Sequence, residues 1–538
     1  MLSKLRLSNP LWQLICFLGL LSKCRARPLS YATAVTSKGV VTGYQGRLAN
    51  RWTIPFAEAP VDSLRFSDPV SRASLTNYDA SSMPPACPQP RATTTTSEDC
   101  LYLTVYAPKG ACSSSKLPVM FWIHGGAFYT GAATDFGLDG SGIASSQNMI
   151  VVVPQYRLGI LGWMGHSKLN VAGNYGLKDV ILALRFVRSE ITAFGGDSSR
   201  ITLAGQSSGA EIVKSLLVTP SVFSFFARAI LHSAPLDFSD FSPALADSIG
   251  QMTVLRLNCS SMACLRNLTV DGILAVQADM NHSGQEGVLD GVREIEPVYR
   301  TIVDGTLVQS EFGDTVAQRI GTIRKKVTKK TILLTTMEDE GAFTVSEIFP
   351  SPVTTAYFPE IIERFFPERA PAIVGSELYD PSLLPNDVDA LRDQFSRLGT
   401  ELIFTCATQQ VGLNLTKAGY RVYLGQFDLG VSYYNDTRPY LVGKATHQDD
   451  IGLVFHPTSI NLTRAQRALT SEVQARWGAF VRSASPNANG YQTWNPVANE
   501  ANLNLLELGS NSYYGSSKIS KTQRTAACSL SIGIWKRL

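Results

Sequence analysis

The sequence predicts an α/β protein with a large, mostly parallel central sheet that helices cover on both faces. Three observations favour this class: apolar runs recur along the chain, these runs lack strict alternation, and helical patterns lie between them. Strands buried on both faces are apolar throughout, and their alternation with helices is typical of parallel sheets. With 538 residues, 44% hydrophobic and 17% charged, the chain has enough apolar side chains for such a core.

The predicted strands are VMFWI (119–123), MIVVVPQY (149–156), ITLAG (201–205), RAILHS (228–233), TILLTT (331–336) and RVYLGQF (421–427). Between the second and third of them, LKDVILALRFVRSEI (177–191) carries apolar residues at helical spacing and is predicted to be a helix. The turn signal FGGD (194–197) follows this helix. No internal repeat or linker divides the chain, so residues 27–538 are predicted to form a single domain.

The N-terminus has the pattern of a secretory signal. Lys4 and Arg6 precede the apolar run LWQLICFLGLL (11–21), and Cys24-Arg25-Ala26 offers a small-x-small cleavage site. Residues 1–26 are therefore predicted to be a signal peptide, and the alternative is a signal anchor. We expect a secreted protein without stable membrane insertion. The net charge of +4 is small for this length, and no basic surface typical of nucleic-acid binding is predicted.

The predicted glycan sites and the number of cysteines both agree with export through an oxidising pathway. The chain contains nine cysteines, and seven of them lie beyond the predicted signal. Sequons of the N-x-S/T type, each a predicted glycan site, occur at Asn258, Asn267, Asn281, Asn414, Asn435 and Asn461.

The segment ITLAGQSSGAEIV (201–213) contains a candidate nucleophile, Ser207. A serine raised on a sharp strand-to-helix turn needs small residues two positions to either side, and Gly205 and Gly209 meet that need. A G-x-S-x-G match also arises by chance as an ordinary glycine turn. Because a serine hydroxyl is a weak nucleophile, the interpretation requires an oxyanion hole, a base and an acid.

A second motif, WIHGGAFYTG (122–131), follows the first predicted strand. Glycines there allow backbone N–H groups to approach a substrate oxygen, and the alternative is a plain glycine turn after a buried strand. Together with the serine turn, the motif predicts an oxyanion hole built by the N–H groups of Gly126, Ala127 and Ser208.

The base and the acid are expected to follow the serine in the chain. His282 lies inside a sequon, and His456 precedes Pro457 at an expected helix boundary. His447, in a loop before an apolar helical pattern, is therefore the best base. The acid is expected among Glu338, Asp339 and Glu340, which follow a predicted strand, and the pattern by itself does not choose between them.

Several further segments resemble the type-B carboxylesterase/lipase family, which includes the cholinesterases. These segments are IPFAEAPVDSLRF (54–66), SEDCLYLTVYAP (97–108), WIHGGAF (122–128), YRLGILG (156–162), GNYGLKD (173–179), FGGDSSRITLAGQSSGA (194–210), EDEGAF (338–343) and HQDDIGLVF (447–455). The resemblance extends from about residue 40 to residue 535. Within the family, the chain is similar to secreted fungal members.

The resemblance implies the α/β-hydrolase fold and a catalytic triad of Ser207, Glu340 and His447, with no cofactor and no metal. It also implies disulfides between Cys87 and Cys100 and between Cys259 and Cys264, and it favours one between Cys406 and Cys528. Gln206 departs from the family, which commonly has glutamate before the serine, so a charge beside the nucleophile is lost. The loop of residues 87–100 has no tryptophan and is too short for a lid, which argues against a cholinesterase and against a lipase.

The predicted function is therefore hydrolysis of small-molecule carboxylic esters through an acyl-serine, on short, medium or specialised esters rather than long-chain lipids. A first alternative is a biosynthetic or detoxifying acyl-serine enzyme that is specific for one metabolite and acts by hydrolysis or acyl transfer. A second is a non-catalytic adhesion module of cholinesterase type, for which a missing triad residue would be the signal.

Overall fold

The computed structural model describes residues 31–90, 92, 94–135, 137–285, 287, 289, 293–321, 330–432, 438–456, 460–511, 516–520 and 527–528. The predicted signal peptide and the sequon at Asn435 lie outside these residues.

The predicted mostly parallel sheet is confirmed. The strands are β1 (Tyr31–Thr36), β2 (Gly39–Gln45), β3 (Ala49–Pro55), β4 (Tyr78–Ala80), β5 (Tyr102–Pro108), β6 (Leu117–Ile123), β7 (Ile150–Pro154), β8 (Gly165–His166), β9 (Val171–Ala172), β10 (Gly196–Gln206), β11 (Arg228–His232), β12 (Thr331–Met337), β13 (Arg421–Phe427), β14 (Leu505–Asn511) and β15 (Ser516–Ser520). In the described part of the chain, 13 strands form one sheet in the order β1-β2-β3-β5-β7-β6-β10-β11-β12-β13-β14-β15, with β4 beside β2. The strands from β7 to β14 in this order run parallel, and antiparallel strands close both ends.

Helices follow most of the parallel strands. They are α1 (Ser141–Gln147), α2 (Gly159–Trp163), α3 (Tyr175–Glu190), α4 (Ser208–Val218), α5 (Pro243–Arg256), α6 (Met262–Asn267), α7 (Val270–Gln285), α8 (Phe312–Gly321), α9 (Glu340–Ile348), α10 (Phe358–Phe365), α11 (Ala370–Val374), α12 (Ala390–Gly399), α13 (Cys406–Lys417), α14 (Ile451–Phe455) and α15 (Arg464–Ser483). A π-helical segment, Thr400–Thr405, joins α12 to α13. The predicted helix 177–191 corresponds to α3.

Strand β6 shows why its residues are apolar without alternation. Val119, Phe121 and Ile123 belong to one hydrophobic cluster, whereas Met120 and Trp122 belong to another. Because successive side chains of a strand point to opposite faces, the two clusters are the two layers between the sheet and its helices. A third cluster lies among the helices that follow β12.

The disulfides predicted from the resemblance are present. Cys87 is bonded to Cys100, Cys259 to Cys264 and Cys406 to Cys528. In the described part of the chain, no helix is long and apolar enough to cross a membrane.

The structure corrects one of the predicted glycan sites. Asn414 lies on α13 with 2% of its surface exposed, and its Oδ1 accepts a hydrogen bond from Gln410 Nε2 at 3.1 Å. Because a glycan needs open space around the asparagine, the prediction for Asn414 is wrong for the folded chain. The other described sequon asparagines, which are Asn258, Asn267, Asn281 and Asn461, are exposed or partly exposed.

Candidate active site

Ser207 stands at the sharp turn between β10 and α4. Its backbone has φ 56° and ψ −127°, a conformation that side chains rarely adopt, and its N–H donates to the His232 carbonyl at 2.9 Å. A Cβ added to Gly205 would lie 2.5 Å from the backbone of Gly209, and one added to Gly209 would lie 2.2 Å from the Ile123 carbonyl oxygen. The two glycines are therefore needed because strand and helix pack this closely, as the motif predicted.

The structure selects Glu340 among the three candidate acids. Its Oε2 lies 2.5 Å from His447 Nδ1, and its Oε1 accepts the Met337 N–H at 2.8 Å. Asp339 instead accepts the N–H of Ala445 at 3.0 Å. This second contact ties the loop after β12 to the loop that carries His447, and it thereby holds Glu340 and His447 near each other.

The pKa of His447 is raised above its ordinary value. Burial by itself lowers the pKa of this imidazole, but the charge of Glu340 and the hydrogen bond that Glu340 accepts from it outweigh burial, with further contributions from Asp450 and Asp449. The carboxylate also fixes the tautomer: Nδ1 carries the proton, and Nε2 remains an acceptor when the ring is neutral.

The Nε2 atom of His447 lies 3.3 Å from the Nε2 of Gln206. Gln206 is fully buried, and its Oε1 has no hydrogen-bond partner among the described residues. In the described contacts, Ser207 Oγ is not yet hydrogen-bonded to His447. Such bonds commonly tighten only with substrate in place. Gln206 and Ser207 therefore compete as donors for one nitrogen lone pair.

The predicted oxyanion-hole residues lie beside Ser207. Gly126 has φ 111° and Ala127 has φ 51°, so both residues of this loop have positive φ. Within the described structure neither N–H donates a hydrogen bond. The N–H of Ser208, the first residue of α4, has no intrahelical acceptor. Three unpaired donors are thus available near the serine.

A single cavity of about 950 Å³ contains Ser207, Ser208, Gly126, Ala127 and His447. Its volume is at the upper end of the range of about 300–1,000 Å³ that is typical for small-molecule sites. Phenylalanines dominate its apolar wall: Phe128, Phe238, Phe343, Phe365, Phe366, Phe395 and Phe404.

Several polar residues of the site were not predicted from the sequence. Asp135, Glu211 and Arg300 lie in the cavity wall. Behind the cavity, His232 Nδ1 lies 2.5 Å from Asp450 Oδ2, and Trp477 Nε1 donates to His232 Nε2 at 2.8 Å. The acidic pair Asp449-Asp450, which follows His447-Gln448, was a sequence signal for this buried contact. The cavity residues are scattered through the chain, and no sequence pattern marks them.

Comparisons with known proteins agree with this geometry. Residues 32–530 match the model of the carboxylesterase family. The chain is 27% identical to liver carboxylesterase 1 of Oryctolagus cuniculus, an alignment that covers 82% of each chain. It is 28% identical to cocaine esterase of Homo sapiens, over 85% of this chain and 82% of that one.

A solved structure shows the same fold. The thermophilic PNB esterase superposes with a TM-score of 0.76 and 24% identity, and the match covers 93% of this chain and 99% of that one. The predicted α/β-hydrolase fold is therefore confirmed. Because the family model matches nearly the whole described chain, this protein belongs to the carboxylesterase family.

Proposed function

We propose that this chain is a secreted serine carboxylic ester hydrolase in which Ser207 is the nucleophile, His447 the base and Glu340 the orienting acid. The observation that carries the proposal is the cavity itself. It holds Ser207 and His447 beside unpaired backbone N–H groups, and His447 is paired to a buried carboxylate at 2.5 Å.

The geometry suits attack on an ester carbonyl. His447 Nε2 exchanges the Gln206 N–H for the Ser207 hydroxyl and takes its proton as Oγ bonds to the carbonyl carbon. The carbonyl oxygen becomes an oxyanion, to which the N–H groups of Gly126, Ala127 and Ser208 donate. When the tetrahedral intermediate collapses, the C–O bond to the alcohol breaks and the leaving oxygen takes the proton from His447.

The acyl-enzyme is then hydrolysed by the same groups. Water gives a proton to His447 Nε2 and adds to the acyl carbon, and Ser207 Oγ leaves with that proton. Throughout, Glu340 accepts the hydrogen bond of Nδ1–H and stabilises the imidazolium that forms twice in each turnover.

The cavity favours esters with a bulky apolar part of moderate size. Its volume is large, and seven phenylalanines lie in its wall. In the described part of the loop of residues 87–100, Gln89 accepts the N–H of Gly131 at 2.8 Å and donates to its carbonyl at 2.9 Å, which holds this edge of the cavity in place. This fixed edge supports activity on medium-sized or specialised esters rather than at lipid surfaces.

Secretion is supported by the covalent structure. The disulfides within the described chain are typical of proteins that fold in an oxidising compartment. Recovery of the processed protein from the medium of expressing cells, and none when residues 1–26 are deleted, is the expected result.

The same aromatic cavity also supports the alternative of an acyl-serine enzyme dedicated to one metabolite, in which a second alcohol or amine takes the place of water. Turnover of simple esters separates the two proposals, because a dedicated enzyme would acylate at Ser207 yet turn over few of them.

The test is hydrolysis of p-nitrophenyl esters of increasing chain length by wild type and by Ser207→Ala. We expect rapid turnover of short and medium esters and a loss of at least about 10³-fold in the variant. A preference for the longest chains would contradict the proposed substrate class. Organophosphate labelling of Ser207 without turnover favours the dedicated enzyme, and absence of both favours a non-catalytic adhesion module.

A further inference from the structure

The cavity wall carries a carboxylate that the proposed reaction does not use. Asp135 follows the loop that contains Gly126 and Ala127, and it lines the same cavity as Ser207. Its Oδ2 accepts the N–H of Ala132 at 2.8 Å. No lysine or arginine of the described ranges forms an ion pair with it, and its side chain is only partly exposed.

The other buried charged groups of this cavity have ion-pair partners within the chain. Glu211 is bonded to Lys214 at 2.7 Å, and Arg300 is paired with Glu296 at 2.9 Å. Gln206, beside the nucleophile, is neutral. Asp135 is therefore an acidic group inside the cavity whose charge the described side chains leave unbalanced, which is costly in a poorly hydrated, aromatic wall.

The neighbours of Asp135 do not supply a positive charge. Tyr156 is the titratable group whose pKa responds to the Asp135 charge, and it is uncharged. His124 stacks on Tyr156 at 4.4 Å, and burial lowers the pKa of His124 to about 4, so this ring is neutral as well. A bound cation would relieve the desolvation of Asp135, against which the described surroundings supply only the N–H of Ala132.

The same stretch of chain also places aromatic rings at the cavity. Phe128 and Tyr129 line it, together with Asp135, on the segment that follows β6. A carboxylate with nearby aromatic faces is the combination that proteins use to bind ammonium groups. An alkyl or aryl body of the same ligand would fit the phenylalanine wall.

We propose that Asp135 binds a positively charged amine of the substrate, so that this chain prefers esters with an ammonium group over uncharged esters of the same shape. The inference rests on the proposed esterase function and adds a specificity-determining residue to it. Gln206 is neutral, so no negative charge lies beside Ser207 at that position. Asp135, which follows the loop of the predicted oxyanion hole, supplies a negative charge instead.

The experiment compares matched esters that differ only in one charge. One pair consists of p-nitrophenyl esters of an ω-amino acid and of the alkanoic acid of equal length; a second pair consists of a choline ester and the ester of its uncharged carbon isostere. The ratio of kcat/KM within each pair is measured for wild type, Asp135→Asn and Glu347→Gln. Asparagine retains the acceptor for the Ala132 N–H, and Glu347 is an exposed carboxylate of the same cavity.

In wild type the charged ester is expected to be preferred in at least one pair. A preference in the first pair places the amine on the acyl side of the substrate, and a preference in the second places it on the alcohol side. Asp135→Asn should lower that preference about tenfold while kcat/KM for the neutral ester changes less than about threefold. Glu347→Gln should leave the preference nearly unchanged. The proposal is overturned by an unchanged ratio in Asp135→Asn, by an equal loss in both variants, or by an equal loss on both esters.

A second measurement needs no variant. Burial raises the pKa of Asp135 to about 6, against the N–H of Ala132, which lowers it. The wild-type preference for the charged ester should therefore be present above this pH and decline as the pH falls through it. A preference that is independent of pH would contradict the assignment. Failure to hydrolyse any ester, charged or neutral, would instead remove the proposed function itself.

Discussion

In the proposed mechanism, the contact between Glu340 and His447 sets the pH range in which the site can act. Only neutral His447 can take the Ser207 proton, so kcat/KM must fall as the pH drops through the pKa of this imidazole. Because the pKa of His447 is raised by Glu340 and by the acidic residues near it, the acid limb should lie above the ordinary histidine value of about 6.5.

Substitution of Glu340 by glutamine removes that charge while retaining the shape of the side chain. We expect the acid limb to move to lower pH and kcat to fall by about 10³- to 10⁴-fold, because the imidazolium and its tautomer lose their stabilising partner. A pH–rate profile of Glu340→Gln beside wild type checks both. An acid limb that stays in place would contradict the role assigned to this carboxylate.

Gln206 offers a complementary test on the other side of the ring. Its amide lies 3.3 Å from His447 Nε2, so a carboxylate at this position would stabilise the imidazolium and raise the pKa of His447 further. In Gln206→Glu the acid limb of kcat/KM should therefore move to higher pH. Gln206→Met, which fills the site without a charge, is the control, and an equal upward shift in both variants would refute the electrostatic explanation.

At this scale, the sequence was sufficient where residues adjoin a motif and insufficient where they do not. Ser207 and His447, which a turn motif and chain order singled out, lie in one cavity. Glu340 could not be separated from its acidic neighbours by pattern alone, since the choice depends on which side chain reaches His447. Asp135 was not predicted, because the argument for it is that no described lysine or arginine pairs with this carboxylate in the cavity wall. Only the folded structure shows which side chains lie near it.

Among the elements, the turn between β10 and α4 has the strictest packing requirement. A methyl group on Gly209 would lie 2.2 Å from the carbonyl oxygen of Ile123, the last residue of β6. Neither backbone can move without disturbing the centre of the sheet, so Gly209→Ala should destabilise the protein by at least about 3 kcal/mol. Thermal unfolding of the purified variant, or its loss as insoluble protein, measures this effect.

Gly399 is the matched control for that substitution. It ends α12 with a helical φ of −59°, and an added Cβ would meet no atom closer than 3.7 Å. Gly399→Ala should therefore be neutral or stabilise the protein by up to about 1 kcal/mol. If the two alanines had equal effects, close backbone approach would not be the reason for the glycine at position 209.

Prediction of the elements themselves succeeded where burial is complete. The strands β6, β7, β10, β11, β12 and β13 are buried at the centre of the sheet, and each of them was predicted, although β10 begins at Gly196 rather than at residue 201. Strands β1 to β5 escaped detection because they lie towards one end of the sheet; β1, for example, alternates exposed and buried residues in YATAVT over only a short length. The helices from α9 to α12 were also missed, since they pack into a cluster of their own rather than onto a predicted strand.

Over the whole molecule, this third cluster explains why the cavity exists. Phe238, Val345, Phe395 and Ile403 belong to it and also line the cavity. In the proposed site, the carboxyl ends of the central strands therefore carry the reacting groups, and the later segments supply about half of the apolar wall. Substrate preference is set by segments that carry no motif, which is why the reaction class was predictable from the sequence and the substrate was not.

The bond between Cys406 and Cys528 joins these later helices to the C-terminal end of the chain. It closes a loop of 122 residues, whereas the bond between Cys259 and Cys264 closes a loop of 5 residues. A cross-link restricts the unfolded chain more when the loop is longer, so the entropic model assigns about 5 kcal/mol to the first bond and about 2 kcal/mol to the second.

Replacing both cysteines of the long loop by serine should therefore lower the apparent Tm, and speed inactivation on heating, more than replacing both cysteines of the short loop. Activity at low temperature should remain within about threefold of wild type in each double variant, because none of these sulfurs lines the cavity. Both proteins are heated at one scan rate, with residual ester hydrolysis measured in parallel. An equal or greater loss from the Cys259 and Cys264 pair would show that local packing, rather than restriction of the unfolded chain, determines what each bond contributes.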